Sequence, residues 1–213
     1  MQDTLIKALN WRYAVRGFDP AKKVSEENLK TILESGRLAP SSFGMEPWHF
    51  VVVENEEVRK KLRVAGYDQP KITDASHLVV IAYRTDGEKN ICNELIERTA
   101  RIQNQDTSAL AGLKQMLDGA ITGQAHAGTL DAWMKAQAYI PFGMMIETAA
   151  LLGVDAGPME GFSADQVDEI LGLKAKNLHS TTMLALGYRS SDDTSATRPK
   201  VRRSFEEVVE FVK

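Results

Sequence analysis

The sequence predicts an α+β fold in which a central sheet carries helices on both faces. Three observations lead there. Trp48–Val53, His77–Tyr83 and Ser180–Gly187 are short runs rich in apolar, β-branched and aromatic residues, which read as strands. Longer segments with apolar residues at helical spacing surround them and hold more of the chain. Finally, 213 residues with 43% hydrophobic and 26% charged side chains suit a single domain of ordinary globular composition.

Taken in order, Asp3–Asn10 reads as a helix with Leu5, Ile6 and Leu9 on one face. A second helix begins at Ser25, a favoured N-cap followed by Glu26 and Glu27 at the positive helix end. Leu29, Ile32 and Leu33 form its apolar stripe, and Gly36 marks its end. Trp48–Val53 is a continuous apolar run, the pattern of a buried strand. Glu56–Val64 is a helix rich in lysine and arginine, and His77–Tyr83 is a second buried strand. From Glu88 to Leu117 the pattern is mostly helical. Asp118–Gly128 contains three glycines and predicts a mobile loop or a broken helix. Leu130–Leu152 is the longest apolar helix, with a kink or register break expected around Pro141 and Gly143. Gly153–Gly157 ends it and starts a short strand, and Ser163 caps one more helix. The tail from Arg198 to Lys213 is basic first and then amphipathic.

Composition excludes several classes of function. A net charge of −3 argues against broad binding to nucleic acid or anionic membranes, so any phosphate recognition must be local. Cys92 is the one cysteine, which fits a reducing, cytoplasmic setting. With no matched histidine nearby, it reads first as a packing residue and only second as a reactive thiol. The N-terminus lacks a signal-peptide pattern, and no apolar run reaches the length of a membrane span. His49, His77, His126 and His179 lie too far apart for metal-ligand spacing, so no metal is expected. Dinucleotide and phosphate-loop glycine motifs and the Gly-x-Ser-x-Gly elbow are all missing.

Four segments carry the remaining chemistry. Ala39–Val53 joins a loop broken by Pro40, Ser41, Ser42, Gly44 and Pro47 to an apolar strand, a common construction for a binding site. Arg12 and Arg16 place two guanidiniums four residues apart, and Arg198–Arg203 adds a basic run near the C-terminus. Guanidiniums match a phosphate monoester, although such a cluster is also consistent with a solvated face. Gly157–Phe162 is either a plain strand-to-helix turn or an irregular backbone with an amide free for a ligand.

In this order, Arg12–Phe18, Pro40–Phe50, Asp68–His77, Pro158–Phe162 and Arg198–Arg202 resemble the cofactor-contacting motifs of the flavin-dependent nitroreductase family. The likeness runs from about Leu5 to Arg203. It implies a mainly antiparallel central sheet and an intertwined homodimer holding FMN non-covalently at its interface. Arg12, Lys200 and Arg202 look like the phosphate ligands, with Tyr13 and Ala14 in the same contacting segment. Arg16 and Lys71 resemble the cations beside the N1/O2 edge of the isoalloxazine, where a fixed positive charge stabilises the reduced ring. Pro40, Ser41 and Ser42 would contact the flavin of the other subunit. Pro158, Met159, Glu160 and Gly161 would line the face near N5, with the Glu160 backbone N–H donating to N5. Three departures from the family stand out. Ala14 replaces a serine common in relatives, Arg16 replaces a lysine found in some members, and Asp68 stands where asparagine is frequent. An aspartate can accept from flavin N3–H but cannot donate to a carbonyl oxygen.

The resemblance implies ping-pong chemistry. NADH or NADPH reduces FMN, nicotinamide leaves, and a nitroaromatic, quinone or similar electron-poor acceptor takes its place, with no protein nucleophile. Phe43 is a candidate wall for an aromatic acceptor or else a core packing residue. Residues 110–133 are the expected lid and specificity element, and 198–213 form a C-terminal extension of the single domain 1–213. Two alternatives share these motifs: a dehalogenating or flavin-fragmenting enzyme of the same fold, and a flavin-binding protein with little turnover.

Overall fold

The computed structural model describes residues 2–213. The chain begins with α1 (Gln2–Trp11), α2 (Glu26–Arg37) and β1 (Trp48–Val53), then α3 (Glu56–Ala65), the short α4 (Lys71–Asp74) and β2 (His77–Arg84). A π-type turn at Gly87–Ile91 leads into α5 (Cys92–Gln103), followed by α6 (Ala111–His126) and α7 (Leu130–Leu151). The chain continues through β3 (Asp155–Met159), α8 (Ala164–Leu171) and β4 (Leu178–Gly187). The four strands form one sheet in the order β1-β2-β4-β3, antiparallel at every pairing.

Alternation along the central strands divides the core in two. Val79, Ile81, Leu184 and Leu186 face Ile32 of α2, Leu95 of α5, Leu117 and Ile121 of α6, and Met134 and Met145 of α7. Leu78, Val80, Met183 and Ala185 face Leu62 of α3, Ile72 of α4 and Val167 of α8. Burial on both faces explains why β2 reads as an unbroken apolar run, each buried Leu or Ile contributing about 1.5–3 kcal/mol.

Several expectations change. Trp48–Val53 is an edge strand, and only Val53 within it is buried; Phe50 and Val52 pack from the rim. A continuous apolar run therefore does not imply a central strand. Asp118–Gly128 is not a loop or broken helix: α6 runs unbroken to His126, and the turn comes at Gly128. Leu117 and Ile121, one turn apart, anchor that helix in the core, and Lys114 pairs with Asp118 at 2.6 Å. Gly119 and Gly123 lie where an added Cβ would meet nothing, so their low helix propensity is the only cost. The predicted long helix is present as α7, which continues through the buried Pro141. Ser25 caps α2 by accepting from the Asn28 N–H, whereas Ser163 occupies the N-cap position of α8 without a side-chain cap. Beyond the turn at Thr194–Thr197, the tail forms neither helix nor strand and exposes Phe205, Phe211 and Val212.

Candidate active site

The segment Arg12–Phe18 is laid against the sheet by its apolar residues. Val15 and Phe18 are buried, the Val15 N–H donates to the Ala156 carbonyl at 3.2 Å, and Ala14 forms a parallel bridge with Ala156. A Cβ at position 157 would come within 2.8 Å of the Val15 carbonyl oxygen, so only glycine permits this approach. Arg12, Ala14 and Arg16 are thereby left on the open side beside Pro158.

Two adjoining cavities follow from this seating. One, of about 500 Å³, is lined by Arg12, Tyr13, Ala14, Arg16, Pro158 and the Ser195–Arg202 stretch, including Lys200 and Arg202. The other, of about 470 Å³, shares Ala14, Arg16 and Pro158 and adds Gln69, Pro70 and Lys71. The Lys200 ammonium donates to the Arg12 carbonyl and sits 5.2 Å from the Tyr13 ring centre. Among the described residues, Arg12, Arg16, Lys71, Lys200 and Arg202 form no ion pair with any carboxylate.

The electrostatics bear the mark of uncompensated positive charge. Burial and then the neighbouring Arg202 lower the pKa of Arg12; burial and then Arg16 lower that of Lys71. Lys200 is lowered by burial and by Arg12, Arg202 and Arg189. A bound anion would reverse the like-charge part of each shift.

Asp193 fixes the segment from the other side. Its Oδ2 accepts from the backbone N–H groups of Arg16 (2.8 Å) and Gly17 (3.0 Å), while Oδ1 accepts from the Ser195 N–H at 2.9 Å. Burial opposes ionisation there, but the bond from the Ser195 hydroxyl and these backbone bonds outweigh it and hold the carboxyl at about 2.

The other expected residues fall differently. Pro158 and Met159 lie within β3; Met159 points into the core, and the irregular backbone starts only at Glu160. Asp68 is exposed, lies in the left-handed region (φ 56°) and pairs with Arg63 at 2.6 Å, away from both cavities. Its neighbour Gln69 lines the groove, and the Gln69 amide nitrogen donates to the Gly66 (2.9 Å) and Gly161 (2.8 Å) carbonyls.

Pro40, Ser41, Ser42 and Phe43 line neither cavity. They form a tight loop with positive φ at Phe43 (55°), Gly44 (70°) and Glu46 (49°). Such strain persists only where the surroundings fix it. Here the Ser42 N–H donates to Gln137 Oε1 at 2.8 Å, and the Glu46 N–H donates to Ser41 Oγ at 2.8 Å. Phe43 is 43% exposed and meets Trp133 edge-on at 6.5 Å, so it does not pack in the core.

Cys92 is buried, and burial followed by Asp118 pushes its thiol up to about 11, which makes it a packing residue. The four histidines do not converge, and no group of metal-ligating side chains occurs among the described residues. His179 instead bonds the fully buried Asp168 at 2.5 Å.

Sequence reasoning passed over Gln69, Gln137, Tyr139 and Asp193. A glutamine inside the longest apolar helix was an available signal; nothing distinguished Asp193 from Asp192.

The sequence profile described as the Nitroreductase family matches residues 9–188. A Staphylococcus haemolyticus protein described as a candidate NAD(P)H nitroreductase is 38% identical, over 100% of this chain and 99% of its own length. A Staphylococcus epidermidis protein of the same description is 36% identical, over 100% and 98%. In three dimensions, a nitroreductase-like protein from Streptococcus mutans superposes with a TM-score of 0.86 at 21% identity, over 100% of both chains. A candidate nitroreductase from Exiguobacterium sibiricum, solved in complex with FMN, superposes with a TM-score of 0.77 at 22% identity, over 98% of this chain and 97% of its own.

Proposed function

Because the chain belongs to the nitroreductase family, we propose that it is an FMN-dependent oxidoreductase that draws on NADH or NADPH to reduce small electron-poor acceptors such as nitroaromatics or quinones. The observation that carries this reading is the set of five cations around one groove with no carboxylate partner among the described residues. Such a groove fits a phosphate-bearing, planar cofactor, and the close approach that Gly157 permits seats the segment carrying Arg12 and Arg16 beside it.

Arg12, Lys200 and Arg202, beside Tyr13 and Ala14, would hold the phosphate. Arg16 and Lys71 would place positive charge beside the pyrimidine edge of the ring. Asp68 is directed to Arg63, so Gln69 takes over the reading of that edge: its amide nitrogen is committed to two carbonyls, which leaves the amide oxygen to accept from a ring N–H. Pro158, Glu160 and Gly161 would border the ring's reactive edge, with Met159 supporting them from the core. When bound, FMN supplies the hydride-level redox chemistry, so no protein nucleophile or metal is required. Pro40, Ser41, Ser42 and the exposed Phe43 would serve the groove of a second copy. The solvent-facing Ile6, Leu9 and Trp11 of α1 and Phe205 and Phe211 of the tail support that homodimer. One domain, 1–213, would then carry the function, with residues 110–133 setting acceptor choice.

The test is direct. Purified chain should take up FMN and turn yellow, and anaerobic NADH or NADPH should bleach it. Failure to bind FMN would sink the proposal; colour that neither nucleotide bleaches would favour a flavin-binding protein or a specialised enzyme of the same fold.

A further inference from the structure

Lys135 and Tyr139 lie one helical turn apart on α7 and both reach Glu160, just beyond the end of β3. The Tyr139 hydroxyl donates to Glu160 Oε1 at 2.6 Å, and the Lys135 ammonium stands 3.7 Å from the same oxygen. The Tyr139 ring is itself held, meeting Phe142 edge-on at 6.2 Å. Beneath it, the register of β2 on β4 steps from Ile81–Thr182 to Ala82–Ser180, which leaves Thr181 in a bulge. Bulges re-aim side chains near functional sites. The Thr181 hydroxyl is buried there without a hydrogen bond of ordinary geometry. Burial raises the Tyr139 pKa, Glu160 adds to the rise, and Thr181 acts in the opposite sense. On the far side of Glu160, the Gly161 carbonyl is held separately by Gln69.

Glu160 lines neither cavity, but it stands two residues after Pro158, which lines both, and just before Gly161, whose carbonyl is held by the cavity-lining Gln69. A carboxylate so placed beside cations without carboxylate partners needs restraint. Left free, it would be drawn to those cations and would compete with any anionic ligand. We propose that Tyr139 is a positioning residue that tethers the Glu160 carboxylate at the rim, with Lys135 as its electrostatic partner, and so keeps that charge out of the groove. The consequence for FMN rests on the function proposed above; the tether itself belongs to the ligand-free chain.

Two measurements test it. In ligand-free protein, ultraviolet titration of the phenols should show Tyr139, identified by its loss in Tyr139→Phe, ionising at lower pH once Glu160→Gln removes the neighbouring charge. An unmoved titration overturns the tether. In FMN-loaded protein, Tyr139→Phe should weaken FMN binding by about tenfold and lower the midpoint potential of the bound FMN, because a freed carboxylate adds negative charge. In a Glu160→Gln background the same substitution should change neither. Equal effects in both backgrounds would overturn the proposal, because Tyr139 would then act through packing alone. A wild-type chain that takes up no FMN yet shows the titration shift sinks the flavin reading and supports the tether.

Discussion

The cationic groove is assembled from parts far apart in the chain, whereas the Ser41–Glu46 loop is shaped largely by itself. Arg12 and Arg16 meet Lys200 and Arg202 because β3 seats one segment and Asp193, together with the Lys200 bond to the Arg12 carbonyl, ties the other to it. Like charges then crowd together, and both burial and neighbouring cations lower Arg12 and Lys200. In the loop, by contrast, positive φ at Phe43 and Glu46 is held by the Ser41 Oγ bond to the Glu46 N–H and by one bond from Gln137. The groove concentrates like charges at a cost to stability; the loop holds an unfavourable backbone for a fixed shape. Removing groove cations should therefore damage binding more than folding, and removing a loop anchor should do the reverse.

The largest effect is expected in the groove. Replacing both Arg12 and Arg202 with alanine removes two charge-assisted bonds worth about 1.5–3 kcal/mol each, so the FMN dissociation constant should rise by roughly 10²–10⁴-fold. Far-UV circular dichroism should stay unchanged, and ligand-free stability should hold or rise slightly as repulsion is relieved. Unchanged FMN affinity in a folded double variant would remove the phosphate assignment and, with it, one side of the contrast.

The loop should answer in the opposite sense. Gln137→Leu strands the Ser42 N–H and frees a backbone that is otherwise held with positive φ at Phe43 and Glu46. A cost of about 1–3 kcal/mol is expected, read as a lower urea midpoint. Wild-type stability would show that the loop holds its conformation without α7.

These two regions also differ in how far the sequence disclosed them. The strands β2 and β4 were legible because burial on both faces makes a run uniformly apolar. The same rule misread β1, since an edge strand can be equally apolar while only Val53 is fully buried. Glycine content misread α6, because glycines on an open face cost little once Leu117 and Ile121 are buried. Arg12, Arg16, Lys71, Lys200 and Arg202, which the family resemblance singles out and composition alone does not, all line the two adjoining cavities. Asp68 and Gln69 were not separable by sequence: a left-handed turn at Tyr67 and Asp68 decides which side chain faces the groove. Asp193 was invisible for a related reason, since two of its donors are backbone N–H groups of residues 176 and 177 positions away.

That carboxylate offers the smallest but most specific effect, because it bonds backbone N–H groups of both groove segments. Its pKa of about 2 in the folded chain lies below the roughly 3.9 of an unfolded aspartate. Its contribution is therefore complete above about pH 4, declines as pH falls towards 2, and vanishes below. Because the side chain is partly in contact with solvent, screening holds that contribution to no more than about 1 kcal/mol. Asp193→Asn should lower the urea midpoint at neutral pH and lose less further stability than wild type between pH 4 and 2. Parallel losses in the two proteins would mean that Arg16 and Gly17 keep their places without this anchor, and that β3 alone seats the groove.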